Sequence, residues 1–208
     1  MKILHISPWY APAWASGGTA VAVTNFCEGL ANLDCNVDVF TTLDSGLKKP
    51  LSKFSYKTII NNVKVNYFRC GILGTSFRGA GFSIEMAFSI IKNLHKYDLI
   101  HIHSTRNLYG IITMLACRLN KKPFVLSPHA SLMEFWIEKT GSNTLKKIYI
   151  YLIDQFVLKY ASKIHFLSNY EAICSKKYLF NKNFFIVPNG ISIKKAIINS
   201  KKKYSTTL

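Results

Sequence analysis

Short apolar runs alternate with stretches of helical periodicity along most of the chain. The apolar runs are rich in β-branched residues and have the length of buried strands; they cover residues 2–7, 36–42, 98–103, 123–127, 163–167 and 184–187. Helical spacing of apolar residues extends over residues 19–33, 83–94, 108–119, 145–161 and 168–179. This alternation predicts an α/β fold with a doubly wound, mostly parallel, Rossmann-like sheet and helices on both faces.

Two further extended segments do not follow this alternation. Residues 58–60 and 63–69 flank the pair Asn61-Asn62, which favours a tight turn. We therefore predict an antiparallel hairpin at one edge of the sheet. The segment 129–142 has no clear periodicity and is predicted to be irregular.

Three predicted helices have apolar residues at helical spacing, and we expect this stripe to pack inward in the first helix and in the 145–161 helix. In the first helix the stripe consists of Val23, Phe26, Leu30 and Leu33. In the second it consists of Ile84, Ala87, Phe88, Ile91 and Leu94. In the 145–161 helix it consists of Leu145, Ile148, Tyr149, Leu152 and Phe156. Packing explains the stripe of the 145–161 helix without membrane insertion.

The pattern divides the chain into one domain and a tail. Residues 1–190 hold all predicted strands and helices, whereas residues 191–208 are rich in Lys and Ser and have no strand of their own. We expect this tail to be poorly ordered. The Gly-containing segment 71–81 is expected to be a flexible loop.

The net charge of +17 is the main compositional departure from an ordinary domain. Twelve lysines and only two acidic residues follow position 145. Such an excess suits an anionic membrane or an acidic glycan, but an AT-rich genome accounts for it equally well. Lysine outnumbers arginine 23 to 4, which disfavours a nucleic-acid reader.

Several classes of protein are disfavoured by what the sequence lacks. It contains no run of eighteen uncharged apolar residues, and prolines interrupt its first apolar run too early for a signal peptide. Its five cysteines form no C-x-x-C pair, so neither a disulfide framework nor a zinc site is indicated. We therefore expect a cytoplasmic protein with reduced thiols.

The first strand leads into a loop that ends in two glycines. Gly17 and Gly18 allow backbone torsions closed to other residues and let a ligand approach the main chain, and Thr19 is the predicted cap of the helix that follows. The N-terminus of a helix at the carboxyl end of a parallel strand suits a phosphate or another anion. Alternatively, the glycines serve only a tight turn.

Other polar residues follow the remaining strand ends, where open parallel sheets bind their ligands. The main candidates are Tyr10, His103, Arg106, His129 and Glu171. Such a rim suits metal binding, acid-base chemistry or anion recognition, and the spacing alone does not choose among them. No P-loop or Ser-His-Asp pattern supports an ATPase or a hydrolase.

Five segments, taken in order, resemble the N-terminal domain of retaining GT-B glycosyltransferases of family 4. They are ILHISPWYAPAWASGGTAVAVTNFCEGLANLDCNVDVFTT, YDLIHIHS, PFVLSPHASLMEFW, ASKIHFLSNYEA and FFIVPNGI. The resemblance implies the N-terminal half of a GT-B fold. It also implies transfer of a sugar from a nucleotide-sugar to a saccharide or lipid-linked acceptor in cell-surface polysaccharide synthesis. The nucleotide-sugar is the co-substrate, and no metal or other cofactor is expected.

The resemblance also implies roles for individual residues. Gly17, Gly18 and Thr19 would lie beside the donor diphosphate and the acceptor. His129 would form a hydrogen bond with the transferred sugar near its reacting carbon and is the implied catalytic residue. The acceptor side would be formed by Tyr10, His103, Arg106 and Glu171.

The sequence departs from the family pattern at several positions. Asp34-Cys35 stand where Gly-His is usual, and Ala130 stands where Gly commonly follows the histidine. Pro188-Asn189-Gly190 resembles the signpost for the crossover into the C-terminal domain, which carries the remaining donor-binding residues of the family. We therefore expect a domain that is inactive by itself, either a truncated product or one half of a two-chain enzyme with a C-terminal-domain partner.

A second function from another class remains open. A non-catalytic basic domain that binds anionic membrane or acidic glycan would explain the charge without catalysis. The expected location is the cytoplasm, with peripheral contact at the inner face of the membrane as a further expectation.

Overall fold

The computed structural model describes residues 1–47, 50–70, 82–138, 143–179 and 183–190. Within these ranges the strands are β1 (Lys2–Ile6), β2 (Asn36–Thr42), β3 (Tyr56–Ile60), β4 (Val63–Phe68), β5 (Leu99–His103), β6 (Phe124–Ser127), β7 (Lys163–Phe166) and β8 (Phe184–Ile186). They form one sheet with the order β3-β4-β2-β1-β5-β6-β7-β8. The predicted tail at 191–208 and the predicted loop at 71–81 lie outside the described residues.

Neighbouring strands of the sheet are parallel in every pair except β3 and β4. The mostly parallel sheet and the antiparallel edge hairpin are therefore confirmed. β1 lies between β2 and β5, and this register places His5 directly opposite His101. Residues almost a hundred positions apart thus become neighbours in the middle of the sheet.

The described helices are α1 (Gly18–Ala31), α2 (Ile84–Asn93), α3 (Leu108–Leu119), α4 (Glu134–Glu138), α5 (Asn143–Tyr149), α6 (Gln155–Tyr160) and α7 (Asn169–Ser175). A π-helical turn, Ile150–Asp154, joins α5 to α6. The helix α4 lies in a segment predicted to be irregular, so that part of the prediction is wrong.

Helices cover both faces of the sheet, as predicted. α1 packs on one face, where Val23 and Cys27 join a core with Val37, Val39 and Val65. The helices α2, α3, α4, α6 and α7 contribute to a second core on the opposite face. Among the described helices, none combines the length and the apolar character needed to cross a bilayer.

The start of α1 differs from the prediction. The helix begins at Gly18, and its N-cap is Gly17, with no side-chain hydrogen bond to the first turn. Thr19 is therefore inside the helix and does not cap it. The N-cap residue Gly17 has φ 97°, a left-handed value that favours glycine. A threonine in this cap conformation would be strained.

The inner face predicted for the 145–161 helix is wrong, and most of the apolar residues spaced along α2 lie on its outer side. Met86, Ile90 and Leu94 are buried, whereas Ile84, Phe88 and Ile91 are more than half exposed. Both sides of α2 are apolar, so periodicity alone did not identify which side packs. In the 143–160 stretch the exposed residues include Leu145, Ile148, Leu152 and Phe156. The π-helical turn adds one residue to that turn and so rotates Phe156 and the rest of α6 around the helix axis relative to Leu145 and Ile148, which precede it.

The inner face of α1 is predicted only in part. Val23 is buried, and Phe26 and Leu30 are half-buried. Leu33 lies beyond the end of the helix and is exposed. The helix ends two residues earlier than its apolar spacing suggests.

Candidate active site

The loop between β1 and α1 leaves the N-terminus of the helix open. Gly17 and Gly18 are exposed, and a Cβ atom added at either would meet nothing within 4 Å. The first turn of α1 contains no acidic residue. Its N–H groups have no partners within the helix, so this end is available to an anion. Gly17 and Gly18, with Thr19 beside them, thus form an accessible surface at the start of α1.

Contacts on both sides hold this loop in place. The Thr42 hydroxyl donates to the carbonyl of Pro8 at 2.8 Å, and the Ala11 N–H donates to the Thr24 hydroxyl at 3.1 Å. Gly46 approaches the loop so closely that an added Cβ would lie 2.5 Å from the Ser16 nitrogen. The loop after β2 therefore supports the shape of the loop after β1.

A row of buried polar side chains crosses the sheet on the face that α1 covers. It consists of His5 on β1, His101 and His103 on β5, Ser127 at the end of β6 and His165 on β7. All five are at most 5% exposed. The Phe26 ring of α1 lies against three of the imidazoles, at centroid distances of 5.8 Å (His5), 5.5 Å (His101) and 6.0 Å (His165).

Two hydrogen-bonded arms run through this row. In the first arm, Nδ1 of His5 lies 2.9 Å from Nε2 of His103, and Nδ1 of His103 lies 3.0 Å from Nε2 of His129. In the second arm, the Ser127 hydroxyl lies 2.7 Å from Nε2 of His101 and 2.9 Å from Nδ1 of His165. Nε2 of His165 then meets the carbonyl of Val187 at 2.8 Å.

Burial keeps the imidazoles of the first arm neutral. It lowers the pKa of His5 to about 3 and the pKa of His129 to about 4. The pKa values of His101 and His103 also lie well below the usual value, first because of burial and then because of neighbouring imidazoles. Water cannot stabilise a charged ring there, so the arm consists of neutral donors and acceptors at neutral pH.

His129 stands at the outer end of the first arm. It is half-buried and has a positive φ of 52°, followed by Ala130 with φ 63°. The Ala130 N–H donates to Oε1 of Glu171 at 2.6 Å, and the Leu167 N–H donates to Oε2 at 2.7 Å. Glu171 thereby fixes the backbone that presents His129.

Arg106 follows β5 at the same edge of the sheet. Its backbone N–H lies 3.2 and 3.1 Å from the two carboxyl oxygens of the buried Asp154. Burial raises the pKa of Asp154 to about 7, although the hydrogen bond and charge of Arg106 oppose the shift. Nη1 of Arg106 is buried, and no described residue accepts a hydrogen bond from it.

The predicted site residues fall into two groups in the structure. Gly17 and Gly18 are exposed, and Thr19 and His129 are half-buried and so remain open to a ligand. Tyr10 and His103 are buried by the fold, Tyr10 in the core beneath α1 and His103 behind His129. Glu171 is also buried, and both of its oxygens bind backbone N–H groups. In this structure neither Tyr10 nor Glu171 is placed to touch an acceptor.

Sequence reasoning identified only His103 among the five members of the polar row. It missed His5, His101, Ser127 and His165. The sequence does contain a signal, because histidines recur at similar positions in several predicted strands and would lie side by side if those strands were neighbours in the sheet. The order of strands in the sheet, however, cannot be deduced from any single strand.

The described residues contain one group that could hold a metal ion. The ligand atoms of His5, His101 and His103 all lie within 4.8 Å of one another. The group has no carboxylate to offset a dication, and the nitrogens between His5 and His103 are already joined by a hydrogen bond. The geometry as described therefore fits hydrogen bonding better than a metal centre.

The chain belongs to glycosyltransferase family 4. Residues 16–195 match the family described as Glycosyltransferase Family 4. A curated relative, 2-deoxystreptamine N-acetyl-D-glucosaminyltransferase of Niallia circulans, is 29% identical over 120 residues, which are 55% of this chain and 31% of the relative.

Solved structures of similar fold include the Anabaena protein HepE, a sucrose-phosphate synthase and a trehalose 6-phosphate synthase. Anabaena Alr3699/HepE in complex with UDP and glucose is 15% identical, with a TM-score of 0.60 over 99% of this chain and 50% of that one. A sucrose-phosphate synthase structure from Thermosynechococcus elongatus is 13% identical, with a TM-score of 0.58 over 99% of this chain and 98% of that one. A trehalose 6-phosphate synthase from Burkholderia multivorans is 14% identical, with a TM-score of 0.52 over 100% and 52%.

These likenesses establish the fold and the family. The Rossmann-like fold expected for half of a GT-B enzyme is confirmed. The chain spans about a third of the curated relative and about half of HepE.

Proposed function

We propose that this chain is the acceptor-side domain of a glycosyltransferase that uses a nucleotide-sugar donor. The observation that carries the proposal is the open N-terminus of α1, with Gly17 and Gly18 exposed at the carboxyl end of β1. Departure of a nucleoside diphosphate places negative charge on its phosphates. Preorganised N–H groups stabilise such charge without rearranging during the reaction. Crystals of HepE hold UDP-glucose, in agreement with a donor of this class.

The remaining site residues have distinct proposed roles. His129 contacts the transferred sugar, and Thr19 contributes the second N–H of the helix to the diphosphate. Arg106 has a buried nitrogen without a partner among the described residues, and it supplies positive charge on the acceptor side. Because His103 and Glu171 are buried, they act on the acceptor side only by supporting other residues, and Tyr10 supports the loop from below.

Three finer parts of the proposal come from the family resemblance. The reaction retains the configuration at the sugar carbon, needs no metal ion and uses no cofactor other than the nucleotide-sugar. The acceptor is a saccharide or a lipid-linked saccharide of the cell surface. A complementary domain, on the same or a partner chain, supplies the opposite wall of the cleft, so this chain alone binds donor weakly and does not turn it over.

Weak binding is best tested with backbone NMR. UDP-glucose and GDP-mannose at millimolar concentration should shift the amide signals of Gly17, Gly18 and Thr19, whereas uridine, which lacks the diphosphate, should not. Calorimetry should give no micromolar binding by the chain alone, and a turnover assay should give no product. Shifts confined to the lysine-rich surface would contradict a donor site at α1.

We further propose that the protein works in the cytoplasm, bound peripherally to the inner face of the membrane. The outer surfaces of α2, α3 and α6 are apolar, and α3 lies between the other two. Their exposed apolar residues are Ile84, Phe88, Ile91, Leu108, Leu115, Leu119, Phe156 and Tyr160. The same three helices carry the exposed cations Lys92, Arg118 and Lys159, against Glu85 as the acidic residue among their described positions. Apolar side chains surrounded by cations suit an anionic lipid surface.

Vesicle sedimentation distinguishes membrane binding through these three helices from binding through the overall positive charge. The protein should sediment with phosphatidylglycerol vesicles more than with phosphatidylcholine vesicles, and Phe88→Ser should weaken the binding several-fold. Phe54→Ser is the matched control, because Phe54 is 73% exposed in the loop after β2 and Phe88 is 68% exposed in α2. Equal loss in both variants would contradict docking through these helices, and concentration-dependent dimerisation abolished by Phe88→Ser would assign the surface to a second copy instead.

The alternative function, a non-catalytic basic domain, predicts a different result. It requires membrane or acidic-glycan binding with no effect of nucleotide-sugar on the α1 amides. The NMR and vesicle measurements together therefore distinguish the two functions.

A further inference from the structure

The second arm of the polar row has only one possible direction. The carbonyl of Val187 can only accept, so in a His165 ring that carries a single proton this proton is on Nε2. Nδ1 of His165 then accepts from the Ser127 hydroxyl, and the Ser127 oxygen accepts from Nε2 of His101. A backbone carbonyl therefore determines the tautomers of two histidines.

The first arm has no carbonyl at its inner end. Nε2 of His5 is buried and has no partner among the described residues. Each hydrogen bond between two neutral imidazoles needs one N–H and one bare nitrogen. The protons of the first arm therefore have two possible arrangements. Changing from one to the other changes the tautomer of all three rings at once.

The two arrangements differ in what is left unpaired inside the protein. In one, His5 buries an unpaired Nε2–H group and His129 presents a bare Nδ1. In the other, His5 buries a bare nitrogen, His103 donates through Nδ1, and His129 carries its proton on Nδ1. Buried N–H groups without a partner are rarer than under-satisfied acceptors, which favours the second arrangement.

In the second arrangement Nδ1 of His129 can donate this proton to a ligand. His129 is half-buried, and its Nδ1 has no hydrogen-bond partner within the described parts of the chain. The ring is held by His103 behind it and by the backbone that Glu171 fixes.

We propose that His5 and His103 are positioning residues that hold His129 as a neutral hydrogen-bond donor, with its proton on Nδ1, for an oxygen of the transferred sugar. The inference rests on the proposed function for the identity of that oxygen. The tautomer of His129 is a property of the protein without substrate, so it can be measured in the free protein. A neutral donor binds a sugar hydroxyl or ring oxygen without losing its proton.

The test is the set of ring ¹⁵N signals in protein labelled at histidine. The sequence has six histidines, and a His129→Gln variant assigns one ring pair by its disappearance. At pH 7 we expect Nδ1 of His129 to give the signal of a protonated nitrogen and Nε2 that of a bare one. A His129 ring protonated at Nε2, or one averaged between both forms, would overturn the proposal.

Variants then show whether the arm is the cause. His103→Leu should remove the single tautomer of His129 and give averaged signals. His103→Asn should restore it, because the asparagine amide can donate from nearly the position of Nδ1. Ser127→Ala is the matched control, since it breaks the second arm and should leave His129 unchanged; an equal effect of Ser127→Ala and His103→Leu would overturn the assignment.

Two additions to the same sample separate this inference from the proposed function. Zinc that binds at one equivalent and moves the His5 and His103 signals would overturn the proposal, because a metal takes the bare nitrogens that the arm needs. The predicted tautomer, without any effect of UDP-glucose at α1, would support the arm and contradict the donor site. An effect of UDP-glucose with the opposite tautomer would do the reverse.

Discussion

The two faces of the central strands are built from opposite chemistry, although the same strands supply both. On the face that α2 and α3 cover, β1 and β5 place aliphatic side chains, among them Ile6 and Ile102. On the face that α1 covers, they place His5, His101 and His103. The aliphatic face depends on contact area, which no change of pH alters. The histidine face depends on hydrogen bonds between neutral rings, so a change in charge state disrupts it.

The largest expected effect is a loss of folding stability at acid pH, which comes from the histidine face and not from the aliphatic face. The four histidines with lowered pKa values, His5, His101, His103 and His129, bind protons in the unfolded chain below about pH 6.5 but not in the folded one. Their contribution is therefore complete above pH 6.5 and is lost as the pH falls toward the folded values of about 3 and about 4 for His5 and His129. Urea unfolding should show a loss of at most about 5 kcal/mol per pH unit.

Asp154 acts in the opposite direction within the same window. Its folded pKa of about 7 lies above the unfolded value, so its contribution falls as the pH rises through 7. An Asp154→Asn variant should therefore make the acid loss steeper. His5→Gln should make it shallower by up to about 1.4 kcal/mol per pH unit, whereas Ile102→Val should lower stability without changing the slope. Stability that is constant from pH 7 to pH 5 would contradict a neutral histidine face.

A cavity in the aliphatic face should have the next largest effect. Ile102 is fully buried, so Ile102→Ala should lower the free energy of unfolding by about 2–5 kcal/mol at pH 7. The matched control is Ile59→Ala, because Ile59 is 67% exposed and its replacement should cost under about 0.5 kcal/mol. Equal losses would show that the aliphatic face is not the core.

The support of His129 from outside the row is a smaller contribution. Glu171→Gln leaves one acceptor for two backbone donors, Ala130 and Leu167. We expect a loss of about 1–3 kcal/mol and faster hydrogen exchange at the Ala130 amide. Glu134→Gln, at an exposed ion pair with Lys177, is the control and should leave both the stability and the Ala130 amide nearly unchanged, because solvent screens the pair. An unchanged Ala130 amide in Glu171→Gln would show that this carboxylate does not fix the loop.

The smallest expected effect concerns the strain beside His129. Ala130 has φ 63°, so Ala130→Gly should relieve strain and raise the free energy of unfolding by up to about 1 kcal/mol. The same replacement at Ala87, inside α2, should instead lower it by about 1 kcal/mol. Destabilisation at both positions would mean that the left-handed turn after His129 is not strained.

Much of the fold could be predicted because it depends on local patterns. The β-branched runs have the length of strands, and Asn61-Asn62 has the chemistry of a hairpin turn, which the positive φ of both residues reflects. The open glycine loop after β1 also follows from its own residues. The helix faces were less accessible, because α2 is apolar on two sides and a π-helical turn rotates the residues of α6 relative to those of α5.

The sequence by itself determined the periodicities, the glycine loop, the resemblance to family 4 and the position of His129 after a strand. Only the tertiary structure decided what stands behind His129. His5 and His101 meet because β1 pairs with β5, and His103 reaches His129 because β5 pairs with β6. Spacing along one strand fixes which face a side chain joins, whereas the strand order that brings the imidazoles within hydrogen-bonding distance depends on pairing between distant segments.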